Sequence, residues 1–113
     1  MATGHAKGLL AEKWAVFFLM LKGYRILSTR YKTPLGEIDI VAKRGRTLIF
    51  AEVKLRQKAD SAAESIHRFN QERVRRAAEL YLQKHPRYND CDMRCDAVIM
   101  TPGGWPRHII NAF

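Results

Sequence analysis

Gly36-Glu37-Ile38-Asp39-Ile40-Val41-Ala42 and Thr47-Leu48-Ile49-Phe50-Ala51-Glu52-Val53-Lys54-Leu55 are two β-rich runs joined by Lys43-Arg44-Gly45-Arg46. A run, a short Gly-containing loop and a second run predict an antiparallel hairpin of Glu37 to Ala42 with Thr47 to Leu55. Strand side chains alternate between faces. Glu37 and Asp39 are therefore expected on one face, with Ile38 and Ile40 on the other. Glu52 and Lys54 likewise share a face. Charged groups in the middle of apolar strands cost free energy unless they are paired or bind a metal. The hairpin thus bears on both the fold and the chemistry.

Working outward, residues 5 to 22 predict a helix, with Leu9, Leu10, Trp14, Phe17, Phe18 and Leu21 recurring at three- and four-residue steps. Gly23 is its expected C-terminal stop. Tyr24 to Lys32 reads as a strand, and Thr33-Pro34-Leu35-Gly36 as the turn into the hairpin. Beyond the hairpin, Ser61-Ala62-Ala63-Glu64 has the form of a capping box. A second helix is predicted from about Asn70 to Lys84, with Val74, Ala77, Ala78, Tyr81 and Leu82 on one face, ended by His85-Pro86. Met93 to Thr101 reads as a buried strand. Trp105 to Phe113 is extended, and Pro106 suits a sheet edge. The expected order is α-β-β-β-α-β plus a terminal strand, a layered α/β domain.

The chain has 113 residues, which matches one domain and excludes a two-domain enzyme. Lys and Arg number 20 against 11 Asp and Glu, a formal charge of +9 that points to a polyanion, nucleic acid before an acidic membrane. The longest apolar run, Trp14 to Leu21, is well short of the roughly 18 residues a membrane span needs. It also lacks the features of a secretory signal. Cys91 and Cys95 are too few for a disulfide scaffold and weak as a zinc motif, and are read as reduced thiols of a cytoplasmic protein.

The carboxylates carry the chemistry. Asp39, Glu52 and Lys54 suit a cross-strand salt-bridge cluster, but converging acids leave surplus negative charge for a single lysine to balance. A divalent cation needs that surplus. Mg²⁺ favours hard oxygen ligands and keeps several waters. Asp39, Glu52 and the Val53 carbonyl are the candidate protein ligands. Lys54 beside them is placed to orient water and stabilise charge developing on a phosphate.

Asp39 followed by Glu52-Val53-Lys54 resembles the signature of the PD-(D/E)xK nuclease superfamily. A wider set of segments is similar to the YraN-like family of small predicted endonucleases, itself similar to archaeal Holliday-junction resolvases. The set comprises Ala11-Glu12-Lys13-Trp14-Ala15, Gly23-Tyr24-Arg25-Ile26-Leu27, Gly36 to Ala42, Phe50 to Lys54, Gln71 with Ala77-Ala78, Arg94-Cys95-Asp96-Ala97-Val98 and Asn111-Ala112-Phe113. The resemblance implies a restriction-endonuclease-like core, a mixed sheet flanked by helices, in one nuclease-like domain over residues 1–113. It also implies Mg²⁺- or Mn²⁺-dependent phosphodiester hydrolysis. Asp39 and Glu52 match the metal-binding carboxylates, Lys54 the catalytic lysine, Glu12 a helix-borne carboxylate of the metal site, and Gln71 an accessory polar residue. Ile38 stands where many members of the superfamily have proline, and Asn70 where a basic residue is expected.

Read without the family, Glu12 lies beside the apolar stripe of its helix, directed either at a metal or at an arginine. Gln71, at the first turn of its helix, reads as a local cap before it reads as a site residue. Asp96 is expected to pair with Arg94 or Arg25. His5, His67, His85 and His108 show no ligand spacing and are expected in solvent or locally bonded. Trp14, Phe17 and Phe18 are expected in the core.

Residues 22 to 58 hold ten Lys and Arg against Glu37, Asp39 and Glu52. The cations assigned to nucleic acid are Lys32, Lys43, Arg44, Arg46, Arg56, Lys58, Arg68 and Arg73. Contacts from such residues to phosphate give affinity without sequence information. The expected partner is DNA, branched or damaged. A two-fold dimer would let two sites address two strands, and Ile109, Ile110 and Phe113 offer an edge for it. The competing reading is a nucleic-acid-binding or adaptor module on a nuclease fold with weak or lost activity.

Overall fold

The computed structural model describes residues 4–55 and 71–112. Helix α1 (Gly4–Leu21) leads into β1 (Arg25–Thr33), β2 (Gly36–Arg44) and β3 (Thr47–Leu55). After residues 56–70, α2 (Gln71–Lys84), a 3₁₀ turn at Pro86–Tyr88, β4 (Asp92–Met100) and the short β5 (Arg107–Ile109) complete the chain. The five strands form one sheet in sequence order. β1, β2 and β3 pair antiparallel, β3 pairs parallel with β4, and β5 closes the far edge antiparallel to β4. The sheet is mixed, and Pro106 precedes its edge strand, as expected. The capping box at Ser61–Glu64 lies outside the described residues.

Gly23 ends α1 as its position predicts. It has φ +93, its N–H donates to the Met20 carbonyl at 3.0 Å and the Tyr24 N–H to the Leu19 carbonyl at 3.0 Å. This pair of bonds is a Schellman motif, in which glycine takes the left-handed residue without steric cost. Thr33 organises the next turn. Its Oγ1 accepts the Leu35 and Gly36 N–H groups and donates to the Gly36 carbonyl.

The sheet buries both faces. α2 brings Val74, Ala77, Ala78 and Tyr81 onto Ile38, Val41, Leu48 and Phe50, with Leu82 packed alongside. α1 brings Ala15 and Leu19 onto Ile40, Ala42, Ile49, Ala51 and Val98. The second helix therefore buries the face its periodicity marks. The first does not: Trp14 and Phe17 are 55% and 53% exposed, while Ala11, Ala15 and Leu19 are buried. α1 is apolar on nearly every side, so periodicity does not distinguish its inner face. The small side chains of Ala11 and Ala15 let the helix approach the sheet closely, and Trp14 and Phe17 are turned outward. Of the expected aromatics only Phe18 packs against this core.

Candidate active site

The β2–β3 ladder runs from Arg44↔Thr47 to Ile40↔Ala51 and stops there. The next pair in that register would be Asp39 with Glu52, so the two carboxylates stand where the central strands part. Val53 would ordinarily bond across the gap to a β2 carbonyl. Its N–H instead donates to Asp39 Oδ2 at 2.8 Å. The Asp39 side chain thus replaces a backbone acceptor and satisfies a strand N–H that would otherwise be stranded.

β2 also changes face at this point. Ile38 packs in the α2 core and Ile40 in the α1 core, so strict alternation, which places Ile38 and Ile40 together, fails across Asp39. Alternation does hold along β3, where Leu48 and Phe50 lie in the α2 core and carry Glu52 and Lys54 onto the same side. Glu37, Asp39 and Glu52, with Arg73 and Val74 of α2, line a cavity of about 30 Å³. The expected convergence of Glu37 with Asp39 is present, achieved by an irregular strand rather than a regular one.

Lys54 Nζ forms an ion pair with Glu52 Oε1 at 2.7 Å, with both side chains largely buried. Burial pushes the Asp39 carboxyl up to about 6; Glu52 and Glu12 add to the rise, while the Val53 N–H and Lys54 oppose it. Burial likewise raises the Glu12 carboxyl, a rise tempered by Arg30 and Lys32 and reinforced by Glu37. Glu12 of α1 therefore belongs to the same electrostatic neighbourhood as Asp39. Glu12, Glu37, Asp39 and Glu52 face Arg30, Lys32, Lys54 and Arg73, so the charges balance in number; it is the desolvation of Asp39 beside other carboxylates that favours a bound cation.

Among the described residues, no group of three or more His, Cys, Asp or Glu side chains is arranged to enclose a metal ion. Glu12, Asp39 and Glu52 are electrostatically coupled rather than gathered into a closed cage. Mg²⁺ is characteristically held by one or two carboxylates together with waters and substrate phosphate. The donor set of Asp39 and Glu52 fits that ion.

The other assigned residues are distributed unevenly. Gln71 opens α2, the helix that covers the cavity. Lys32 is close enough to affect Glu12, and Arg73 lines the cavity. Lys43, Arg44 and Arg46 sit at the hairpin tip, five strand residues from Asp39 to Arg44, or about 16 Å away at strand rise. All three are engaged there: Lys43 donates to the Gly45 carbonyl at 2.6 Å, Arg44 donates to the Lys22 carbonyl at 3.1 Å and stacks over Tyr24, and Arg46 donates to the Asp90 carbonyl at 3.3 Å. Proximity in sequence along residues 22 to 58 thus does not translate into proximity to the acids. Arg56, Lys58 and Arg68, with His67, lie outside the described residues.

A second buried polar cluster was only partly legible. Asp96 is fully buried and accepts hydrogen bonds from Arg94, from His108 Nε2 at 2.7 Å and from the Asn111 N–H at 2.9 Å. The expected partner Arg94 is present and also donates to the Tyr24 hydroxyl at 2.7 Å. His108, expected in solvent or locally bonded, is instead buried and reaches Lys22 Nζ at 2.6 Å, 86 residues away. Its position in a three-residue edge strand carried no sequence signal for that contact. Burial alone would raise the Asp96 carboxyl, but the bonds from His108, Arg94 and Asn111 hold it below its ordinary value. His85, by contrast, is locally bonded, to the Tyr81 carbonyl at 2.8 Å. Cys91 and Cys95 are free thiols.

The mixed five-stranded sheet with a helix on each face is similar in fold to a known resolvase structure. The structure of Archaeoglobus fulgidus Hjc, a Holliday junction resolvase from an archaeal hyperthermophile, matches with a TM-score of 0.54 at 20% identity, covering 92% of this chain and 72% of that one. The family described as "Uncharacterised protein family UPF0102" matches residues 11–100, and the chain belongs to that family. A UPF0102 protein of Parvibaculum lavamentivorans is 48% identical over 99% of this chain and 86% of its own length. One of Nitrobacter winogradskyi is 46% identical over 100% and 95%. No described helix is long and apolar enough to cross a membrane.

Proposed function

We propose that the protein is a metal-dependent endonuclease that hydrolyses phosphodiester bonds in branched or damaged DNA. The observation that carries this reading is the strand fork, where a half-buried Asp39 carboxyl, pushed up to about 6, stands beside the Glu52–Lys54 ion pair. A purely structural salt bridge would lower the Asp39 carboxyl, whereas burial and the neighbouring Glu52 and Glu12 raise it. The nuclease fold shared with Hjc supports the same conclusion.

Asp39 and Glu52 would hold Mg²⁺ or Mn²⁺, with the Val53 carbonyl as a third oxygen and Glu12 adding negative potential. A bound ion of this kind polarises a phosphoryl oxygen and acidifies a bound water. Asp39 is fixed for its role by the Val53 N–H, which leaves its other oxygen available. Lys54, held by Glu52, presents its remaining N–H donors to the attacking water and to the phosphate, where negative charge grows. Gln71 acts as the accessory polar group from the start of α2. Lys32 and Arg73 contact phosphates beside the cut. Lys43, Arg44 and Arg46 extend the track towards the hairpin tip, and Arg56, Lys58 and Arg68 are further cations of the sequence assigned to DNA. A homodimer would present two such sites to a junction.

The test incubates pure protein with four-way junction, flap and linear DNA in Mg²⁺ or Mn²⁺, beside Asp39→Ala and Lys54→Ala variants. Cleavage lost in both variants, with DNA binding retained, is the expected result. DNA binding without any cleavage would establish the adaptor reading instead. Equal residual cleavage in wild type and variants would expose a contaminating nuclease and remove the catalytic claim.

A further inference from the structure

Five described residues have positive φ, and four of them are Gly23, Gly45, Gly103 and Asn111, residue types that tolerate the left-handed region. The fifth is Arg30, at φ +55. An arginine there is sterically disfavoured, because its Cβ crowds the following carbonyl.

The location of Arg30 is specific. The pairs Thr29↔Ile40 and Tyr31↔Ile38 bracket it, so it lies in register with Asp39. β2 changes face here, and β1, whose register shift lies at Ile26/Ser28, carries its left-handed residue at the same level. Tyr31 and Ile38 pack on the α2 side, whereas Ile40 packs on the α1 side. A left-handed residue in β1 accompanies the face change of β2 that sets Asp39 at the fork. Glycine or asparagine would supply that backbone more cheaply. The Arg30 side chain is exposed, so burial of its stem does not offset the cost. Its charge is felt at Glu12, within the acidic neighbourhood of the site. Strained backbone retained beside a reactive centre points to a task for the side chain it carries.

We propose that Arg30 is a DNA-phosphate-binding residue of the site, its guanidinium delivered to the Glu12 side of the acidic neighbourhood by a left-handed backbone that the fold tolerates at a cost in stability. The proposal rests on the DNA reading above and adds a residue to it. A cation in register with the metal-binding acid would grip the phosphate next to the one being cut. It supplies affinity and placement without base specificity.

The test compares wild type, Arg30→Gly and Arg30→Lys by thermal melting, and by binding to a four-way junction in Ca²⁺ across a salt series. Arg30→Gly should melt higher by about 3–6 °C, through relief of strain. The same variant should lose about 0.9 from the log–log salt slope and roughly eightfold in affinity at 0.1 M salt. Arg30→Lys, equally strained and still cationic, should match wild type in both. An unchanged salt slope in Arg30→Gly would overturn the proposal and reduce Arg30 to a counter-charge for Glu12. A lower melting midpoint for Arg30→Gly would overturn the strain argument. Wild-type protein that does not bind the junction at all would refute the DNA reading itself, and the proposal with it. Cleavage does not enter these readouts, so loss of catalysis alone would leave the two claims separable.

Discussion

Asp39 Oδ2 accepts the Val53 N–H at 2.8 Å, one register step beyond the last pair of the β2–β3 ladder. A side chain thereby closes the bond that the parting strands leave open. The same carboxyl is desolvated and surrounded by other acids, so its ionised form is unfavourable without a cation. The fork is held in shape by a group that is itself electrostatically poised.

Asp39→Asn separates those two roles, because the amide oxygen still accepts the Val53 N–H. With a folded pKa of about 6 against 3.8 in the unfolded chain, the folded state binds the proton more tightly. Asp39 therefore favours folding relatively more at low pH, and stability falls as pH rises from about 4 to 6. At pH 7.5 without metal, Asp39→Asn should be more stable than wild type by about 1–3 kcal/mol, with that pH dependence lost. Denaturant melts at pH 4, 5.5 and 7.5 read this directly. Adding Mg²⁺ should stabilise wild type and leave the variant unmoved. A variant less stable than wild type at pH 7.5 would show that the carboxylate is well compensated.

Lys54 is held by Glu52 at 2.7 Å. Lys54→Met should lower cleavage by about 100-fold or more, with at most a few-fold loss of DNA affinity. Lys54→Arg should not restore the rate, since a planar guanidinium does not reproduce the compact ammonium donor. Single-turnover cleavage with saturating protein separates the chemical step from binding. Full activity in Lys54→Met would remove Lys54 from the mechanism.

Gly36 fixes the distance between β2 and α2. A Cβ at Gly36 would lie 2.1 Å from the Arg73 carbonyl oxygen, a clash with backbone that no rotamer relieves. Gly36→Ala should destabilise the fold by about 2–3 kcal/mol and shift the first turn of α2, and with it Arg73, off the acidic cavity. Chemical denaturation gives the first effect. A reduced salt slope of DNA binding would report the second.

Asp96 predicts the opposite pattern to Asp39. Its carboxylate satisfies Arg94, His108 and the Asn111 N–H, so Asp96→Ala leaves buried donors unpaired and should cost about 3–5 kcal/mol. Because its pKa is held below the unfolded value, its contribution is present above about pH 4 and fades as pH falls further. The variant should lack that portion of the acid-denaturation limb. Where it remains folded, Mg²⁺-dependent cleavage should persist. Selective loss of cleavage in well-folded Asp96→Ala would tie the cluster to the active site.

The order of elements, the hairpin, the Gly23 stop and the inner face of α2 follow from local features of the sequence: alternation, turn residues and a three-to-four-residue stripe. The charged residues Asp39, Glu52 and Lys54 also stand out locally, because apolar strands make acids and lysines conspicuous. Three matters depend on contacts between distant segments. The outward turn of Trp14 and Phe17 is decided by how closely α1 approaches the sheet, which an all-round apolar helix does not encode. The Lys22–His108–Asp96 connection joins both ends of the chain through a short edge strand. The face change of β2 at Asp39 stands level with the left-handed Arg30 of β1, and alternation within either strand predicts regularity. The residues of the site were thus legible one strand at a time. Their convergence was decided by the tertiary structure, because only the parting of β2 from β3 leaves a gap that Asp39 fills and Glu52 shares.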